Sequence, residues 1–130
     1  MAVKTIRQAI TFEASPHQVY EALMDSRKHA SFTGGKASIS RKAGGKFSVF
    51  DGYAEGVNLE LVPDEKVVQT WRASDWPAGV YSKVTFSIKA VKGGARLSFS
   101  QSGVPEEQYD DVSQGWKDYY WGPMKEMLEK

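Results

Sequence analysis

From Gly34 to Gln101 the apolar residues recur at every second position, and the breaks between runs are only two to seven residues long. A parallel strand pair needs a crossover of a dozen or more residues, so breaks this short force neighbouring strands to run antiparallel. The predicted strands are Lys36–Ser40, Lys46–Phe50, Tyr53–Val62, Lys66–Arg72, Val80–Val91 and Ala95–Gln101. Turn formers separate them: Gly44-Gly45, Asp51-Gly52, Pro63-Asp64, Trp76-Pro77-Ala78-Gly79 and Gly93-Gly94. Alternation is cleanest in Val84, Phe86, Ile88 and in Leu97, Phe99. One apolar and one polar face per strand is the pattern of a sheet covered on one side only.

The flanking segments supply the cover. Residues 3–12 alternate with Ile6, Ile10 and Phe12 around Gln8, which predicts a first strand. Ser15-Pro16-His17-Gln18 reads as a capping box with proline in the first turn, opening a helix whose stripe is Val19, Tyr20, Leu23 and Met24. A second short helical turn is expected around Ser26 to Phe32. Towards the C-terminus, Pro105-Glu106-Glu107 suits a first helical turn, and Val112, Trp116, Tyr119/Tyr120, Pro123 and Met127 recur at steps of three or four. Pro123 cannot donate to the carbonyl of Tyr119, so a kink is expected there. The fold class that satisfies every segment is α+β. A curved antiparallel sheet of six or seven strands grips one long C-terminal helix, the first strand pairs with the last, and a cavity opens between helix and sheet.

Composition narrows the chemistry. No Cys is present, which removes disulfides, thiolate catalysis and Cys-ligated zinc, and fits a cytoplasmic setting. No apolar run reaches membrane-span length, and the N-terminus shows no signal-peptide core. A net charge of +1 is too balanced for a dedicated nucleic-acid binder. Residues 1–50 nevertheless carry +5, a mildly basic part suited to an acidic protein partner. His17 and His29, the two histidines, are placed too far apart to share a metal and read as surface residues. His29 is the better functional candidate because it precedes the Gly-rich stretch Ser31 to Lys36. Gly44-Gly45-Lys46 lacks phosphate-loop spacing and reads as a hairpin turn. No nucleophile motif is visible, Asp110-Asp111 and Glu106-Glu107 read as helix-dipole partners, and Arg72 with Asp75 reads as a surface pair. No metal and no cofactor is implied.

Several stretches carry a family resemblance: Phe32-Thr33-Gly34-Gly35, Gly44-Gly45-Lys46-Phe47, Asp51-Gly52, Leu61-Val62-Pro63, Trp71-Arg72 with Trp76-Pro77, Gly103-Val104-Pro105, Gly115-Trp116 and Tyr119-Tyr120-Trp121. In this order the chain resembles the SRPBCC or START-like superfamily of helix-grip domains. Within it, the resemblance is to the C-terminal domain of activators of the heat-shock protein 90 ATPase, the Aha-type family. The resemblance implies one START-like domain over residues 1–130, without the additional N-terminal domain of the eukaryotic cochaperone. It also implies a cavity for a small apolar or aromatic ligand, expected to be lined by Trp71, Phe86, Phe99, Val112, Trp116, Tyr119, Tyr120 and Pro123. The leading expectation is non-enzymatic binding of such a ligand. The alternative is a co-chaperone-like module acting on heat-shock protein 90. A small cyclase or dehydratase has the least support, since no acid–base pair stands out.

Overall fold

The computed structural model describes residues 2–129. Seven strands form one sheet: β1 Val3–Phe12, β2 Ser38–Ile39, β3 Lys46–Val49, β4 Ala54–Val62, β5 Lys66–Ala73, β6 Ser82–Val91 and β7 Gly94–Pro105. Their spatial order is β1-β7-β6-β5-β4-β3-β2, with every neighbouring pair antiparallel. The first and last strands pair as expected, from Phe12 opposite Ala95 to Val3 opposite Pro105. Register shifts interrupt β1 between Lys4 and Ile6, and β4 between Asn58 and Glu60. Such irregularities bend a strand and raise its twist, which lets the sheet curl around its contents.

Two short helices close one side. In α1 (Pro16–Met24) the predicted capping box is complete: the Ser15 hydroxyl accepts from the Gln18 amide and the Gln18 side chain accepts from the Ser15 amide. Asp25 then ends α1 and caps α2 (Ser26–Thr33), its carboxylate accepting from the Lys28 N–H at 3.0 Å. That backbone bond holds the Asp25 carboxyl below its ordinary range. Gly34, at φ 79°, terminates α2 in the left-handed conformation.

The C-terminal segment differs from expectation in two places. Pro105 closes β7 instead of opening a helix, because β1 reaches far enough to pair with it, and the Glu106 N–H donates to Ala2 C=O. Glu106–Gln108 is a 3₁₀ turn, and the helix proper is α3 (Tyr109–Trp116). The expected kink at Pro123 is taken up one turn earlier. Lys117–Trp121 is π-helical, with the Gly122 N–H bonding back to Lys117 C=O, before α4 (Gly122–Leu128) resumes with proline in its first turn. An i→i+5 turn accommodates the residue that the proline displaces from α-helical register.

This π segment sets what the helix buries. Trp116 and Trp121, five residues apart, both face the sheet and stack at 5.7 Å and 20°. Trp116, Tyr120 and Trp121 are buried while Tyr119 stays 59% exposed. Two sheet glutamines fasten the two indoles. Trp116 Nε1 donates to Gln101 Oε1 at 2.7 Å, and Trp121 Nε1 donates to Gln8 Oε1 at 2.6 Å. Gln101 in turn donates to Ser82 Oγ, and Gln8 donates to Ser113, so neither amide is stranded in the apolar interior.

Candidate functional site

An aromatic-walled cleft lies where α3 and the π segment leave the sheet, and its volume is about 430 Å³. The β3–β4 connection builds one wall. Phe50 and Asp51 sit at φ 53° and 57°, a left-handed stretch that a bulky aromatic rarely occupies. The loop after α2 holds it there: the Lys36 N–H donates to the Asp51 carboxylate at 2.9 Å, and the Asp51 N–H donates to Lys36 C=O at 3.1 Å. Gly35 allows this close approach, since a Cβ there would lie 2.9 Å from Phe50 Cα. The result is a Phe50 ring set edge-on to Tyr120 at 5.6 Å and to Tyr119 at 6.0 Å.

The deep side of the cleft is Trp71 on β5, with Val112, Trp116 and Tyr120 from the helix, all buried. Tyr53, Tyr119 and Asp111 stand at its exposed margin. The Tyr53 hydroxyl is pushed above its ordinary pKa, first by burial and then by the charges of Asp75 and Asp111. Behind Tyr120 lies His29, which the structure moves from the expected surface into the core at 4% exposure. Its ring packs against Phe32 and Tyr120, and its charge sites are used internally. Nδ1 lies 3.2 Å from Leu23 C=O, which can only accept, so Nδ1 carries the proton. Nε2 therefore accepts from the Tyr120 hydroxyl at 2.8 Å. Burial lowers the His29 pKa to about 4, and burial raises that of Tyr120 well above the phenol range. Both groups are neutral at pH 7 and fix the Tyr120 ring in the cleft wall.

Of the eight residues expected to line a cavity, the structure brings together Trp71, Val112, Trp116, Tyr119 and Tyr120. Phe86 and Phe99 pack behind Trp116, at 5.9 and 4.5 Å, as core. Pro123 lies beyond the π turn and does not reach the cleft. Sequence reasoning missed Phe50, Tyr53, Asp111 and Gly115. Asp111 does occupy the first turn of α3, as a dipole partner should, and also borders the cleft. The expected Arg72–Asp75 pair is replaced. Arg72 Nη2 donates to Trp76 C=O at 2.6 Å and Nη1 lies 3.7 Å from Glu55, because the turn after β5 brings its own carbonyls to the guanidinium. His17 is exposed, as expected, and Nδ1 lies 2.9 Å from Asp64. Among the described residues no three His, Asp or Glu side chains converge on a metal position, and no helix is long and apolar enough to cross a membrane.

Comparison with known proteins places these features in a lineage. The family model for Activator of Hsp90 ATPase homolog 1-like proteins matches residues 13–129. An activator of 90 kDa heat shock protein ATPase homolog from Dictyostelium discoideum is 35% identical over 88% of this chain, and a human homolog 1 is 30% identical over 89%. This chain spans 30% and 34% of those two proteins' lengths. Among solved structures, an HSP90 activator from Plasmodium falciparum superposes with a TM-score of 0.91 at 23% identity, covering 96% of each chain, a likeness of fold. A protein from Chromobacterium violaceum gives 0.80 at 27% identity, covering 97% of each. The family match runs from the capping box of α1 through the Gly34-Gly35 loop to α4, which takes in both walls of the cleft. The helix-grip architecture and the sequence together show that this chain belongs to the Activator of Hsp90 ATPase homolog 1-like family.

Proposed function

We propose that this chain is a co-chaperone-like module that binds heat-shock protein 90 in the cytosol. The observation that carries the reading is the family match over residues 13–129, joined to relatives named as activators of that chaperone's ATPase. A surface of suitable chemistry is present. Arg27 and Lys36 border a broad groove of about 840 Å³ between α2 and the β2–β3 edge, with Asp51 tied into backbone bonds beside them. A shallow basic groove suits an acidic protein surface, with steering that weakens as salt screens it. The test is an ATPase assay with the source organism's heat-shock protein 90, alongside calorimetric binding at low and physiological salt. Because the chain spans about a third of its activator relatives, weak stimulation and salt-sensitive binding are expected. Losing a second tethered contact can cost a factor of roughly 10² in avidity. The double charge reversal Arg27→Glu, Lys36→Glu should weaken binding about tenfold. No binding at low salt would overturn the proposal, and indifference to the reversal would remove the groove from it.

A second reading is favoured by the cleft itself. Its volume lies within the usual range for small-molecule sites, and its walls are mostly aromatic. In this reading the chain holds a small apolar molecule between the C-terminal helix and the sheet, without chemistry.

A further inference from the structure

The cleft is selective as well as apolar, and its selectivity follows from which polar groups are already spoken for. Trp116 Nε1 is committed to Gln101, and the Tyr120 hydroxyl is committed to His29. Trp71 Nε1 has no hydrogen-bond partner among the described residues, but it is buried and presents no accessible surface to the cleft. The side chains of the deep part of the cleft therefore expose π faces and no accessible N–H or O–H donor. A carboxylate or phosphate buried there would lose its hydration with nothing in exchange.

The margin has the opposite character. Among the described residues Asp111 is the one charged side chain lining the cleft, and it is a carboxylate. Tyr53 and Tyr119 flank it with exposed rings. Aromatic faces carry negative quadrupole potential, which adds to the carboxylate's field and attracts a positive group. The Tyr53 hydroxyl is pushed up first by burial, and the charges of Asp75 and Asp111 add to the shift in the same direction.

We infer that the cleft takes a small organic cation: an apolar body seated on Trp71 and Trp116, with a quaternary or protonated amine held between Asp111 and the Tyr53 and Tyr119 rings. This inference rests on the second reading above and is independent of chaperone binding.

The experiment uses three probes of one chain length: decyltrimethylammonium, decanol and decanoate, each below its aggregation concentration. Binding to the full chain is followed by calorimetry and by tryptophan fluorescence. Decyltrimethylammonium should bind roughly tenfold more tightly than decanol, and decanoate more weakly than either. Asp111→Asn should erase most of the preference for the cation while leaving decanol binding intact, which also shows that the variant is folded. Val112→Trp should fill the cleft and abolish binding of all three. Equal binding of the three probes would leave the apolar cleft standing and overturn the charge selectivity. Failure of all three to bind would overturn the cleft reading along with it. Displacement of the cation by heat-shock protein 90 would assign the cleft to a basic side chain of that protein and overturn the small-molecule inference.

Discussion

His29 shows what a single buried titratable group does to this molecule. Folding strips its hydration and lowers its pKa from 6.5 to about 4, with the Leu23 carbonyl opposing the shift. The neutral form is the native one, so the unfolded chain takes up a proton between pH 6.5 and 4 that the folded chain refuses. The associated stability is complete above pH 6.5, falls as pH drops through this window, and is exhausted below about pH 4. A shift of that size corresponds to roughly 2–4 kcal/mol. His29→Phe removes the titration but strands the Tyr120 hydroxyl and the Leu23 carbonyl, at a cost of about 1–3 kcal/mol at pH 7. Urea denaturation at pH 7 and pH 4.5 checks this: the gap between wild type and variant should narrow or reverse at the lower pH. A gap that stays constant would show that His29 is not held neutral. Nothing near His29 in the sequence announces its burial, because its partner Tyr120 is 91 residues away and the short helix carrying it is mostly polar.

Among the elements, the C-terminal helix depends on its two glutamine fasteners. Gln101 is fully buried, and Trp116 is its partner across the helix–sheet gap. Gln101→Leu leaves an indole N–H and Ser82 without their partner, and should cost about 1–3 kcal/mol. Adding Trp116→Phe removes the stranded donor, so the double variant should be less destabilised than the sum of the singles by about 1 kcal/mol. Strict additivity in a urea-denaturation cycle would refute the fastener role. The strands were legible in the sequence because one covered face forces alternation, as Val84, Phe86 and Ile88 show. The inner face of the helix was legible through Trp116 and Tyr120, with Tyr119 misplaced. A period of three and four selects Tyr119 and Tyr120, whereas the π turn substitutes Trp121, and proline at 123 predicted a break without its form. Phe50 read only as the end of a strand, whereas β3 stops at Val49 and the left-handed backbone of Phe50 is imposed by the Gly35 and Lys36 loop across from it.

At the scale of the whole molecule, the sheet's order determines how the chain must assemble. Neighbouring hairpins β3–β4, β4–β5, β5–β6 and β6–β7 are local, but β1 pairs only with β7. Sheets closed by such distant pairing fold in milliseconds to seconds, and stopped-flow refolding from urea should show that range. Recovery of the full signal within microseconds would contradict it. The family fold was legible because short motifs recur in a fixed order along nearly the whole chain. The cleft's chemistry was not, because Tyr53 and Asp111 come from a strand connection and a helix start that only the folded sheet brings together.

The same β1–β7 pairing has a consequence during synthesis. Phe12 and the residue opposite it, Ala95, are 83 positions apart. At a ribosome's pace of about 5–20 residues per second, the apolar row Ile6, Ile10 and Phe12 waits about 4 to 17 s for its partner strand to be made. Throughout that interval the nascent chain presents an unpaired strand edge, open to capture by holdase chaperones or by neighbouring nascent chains.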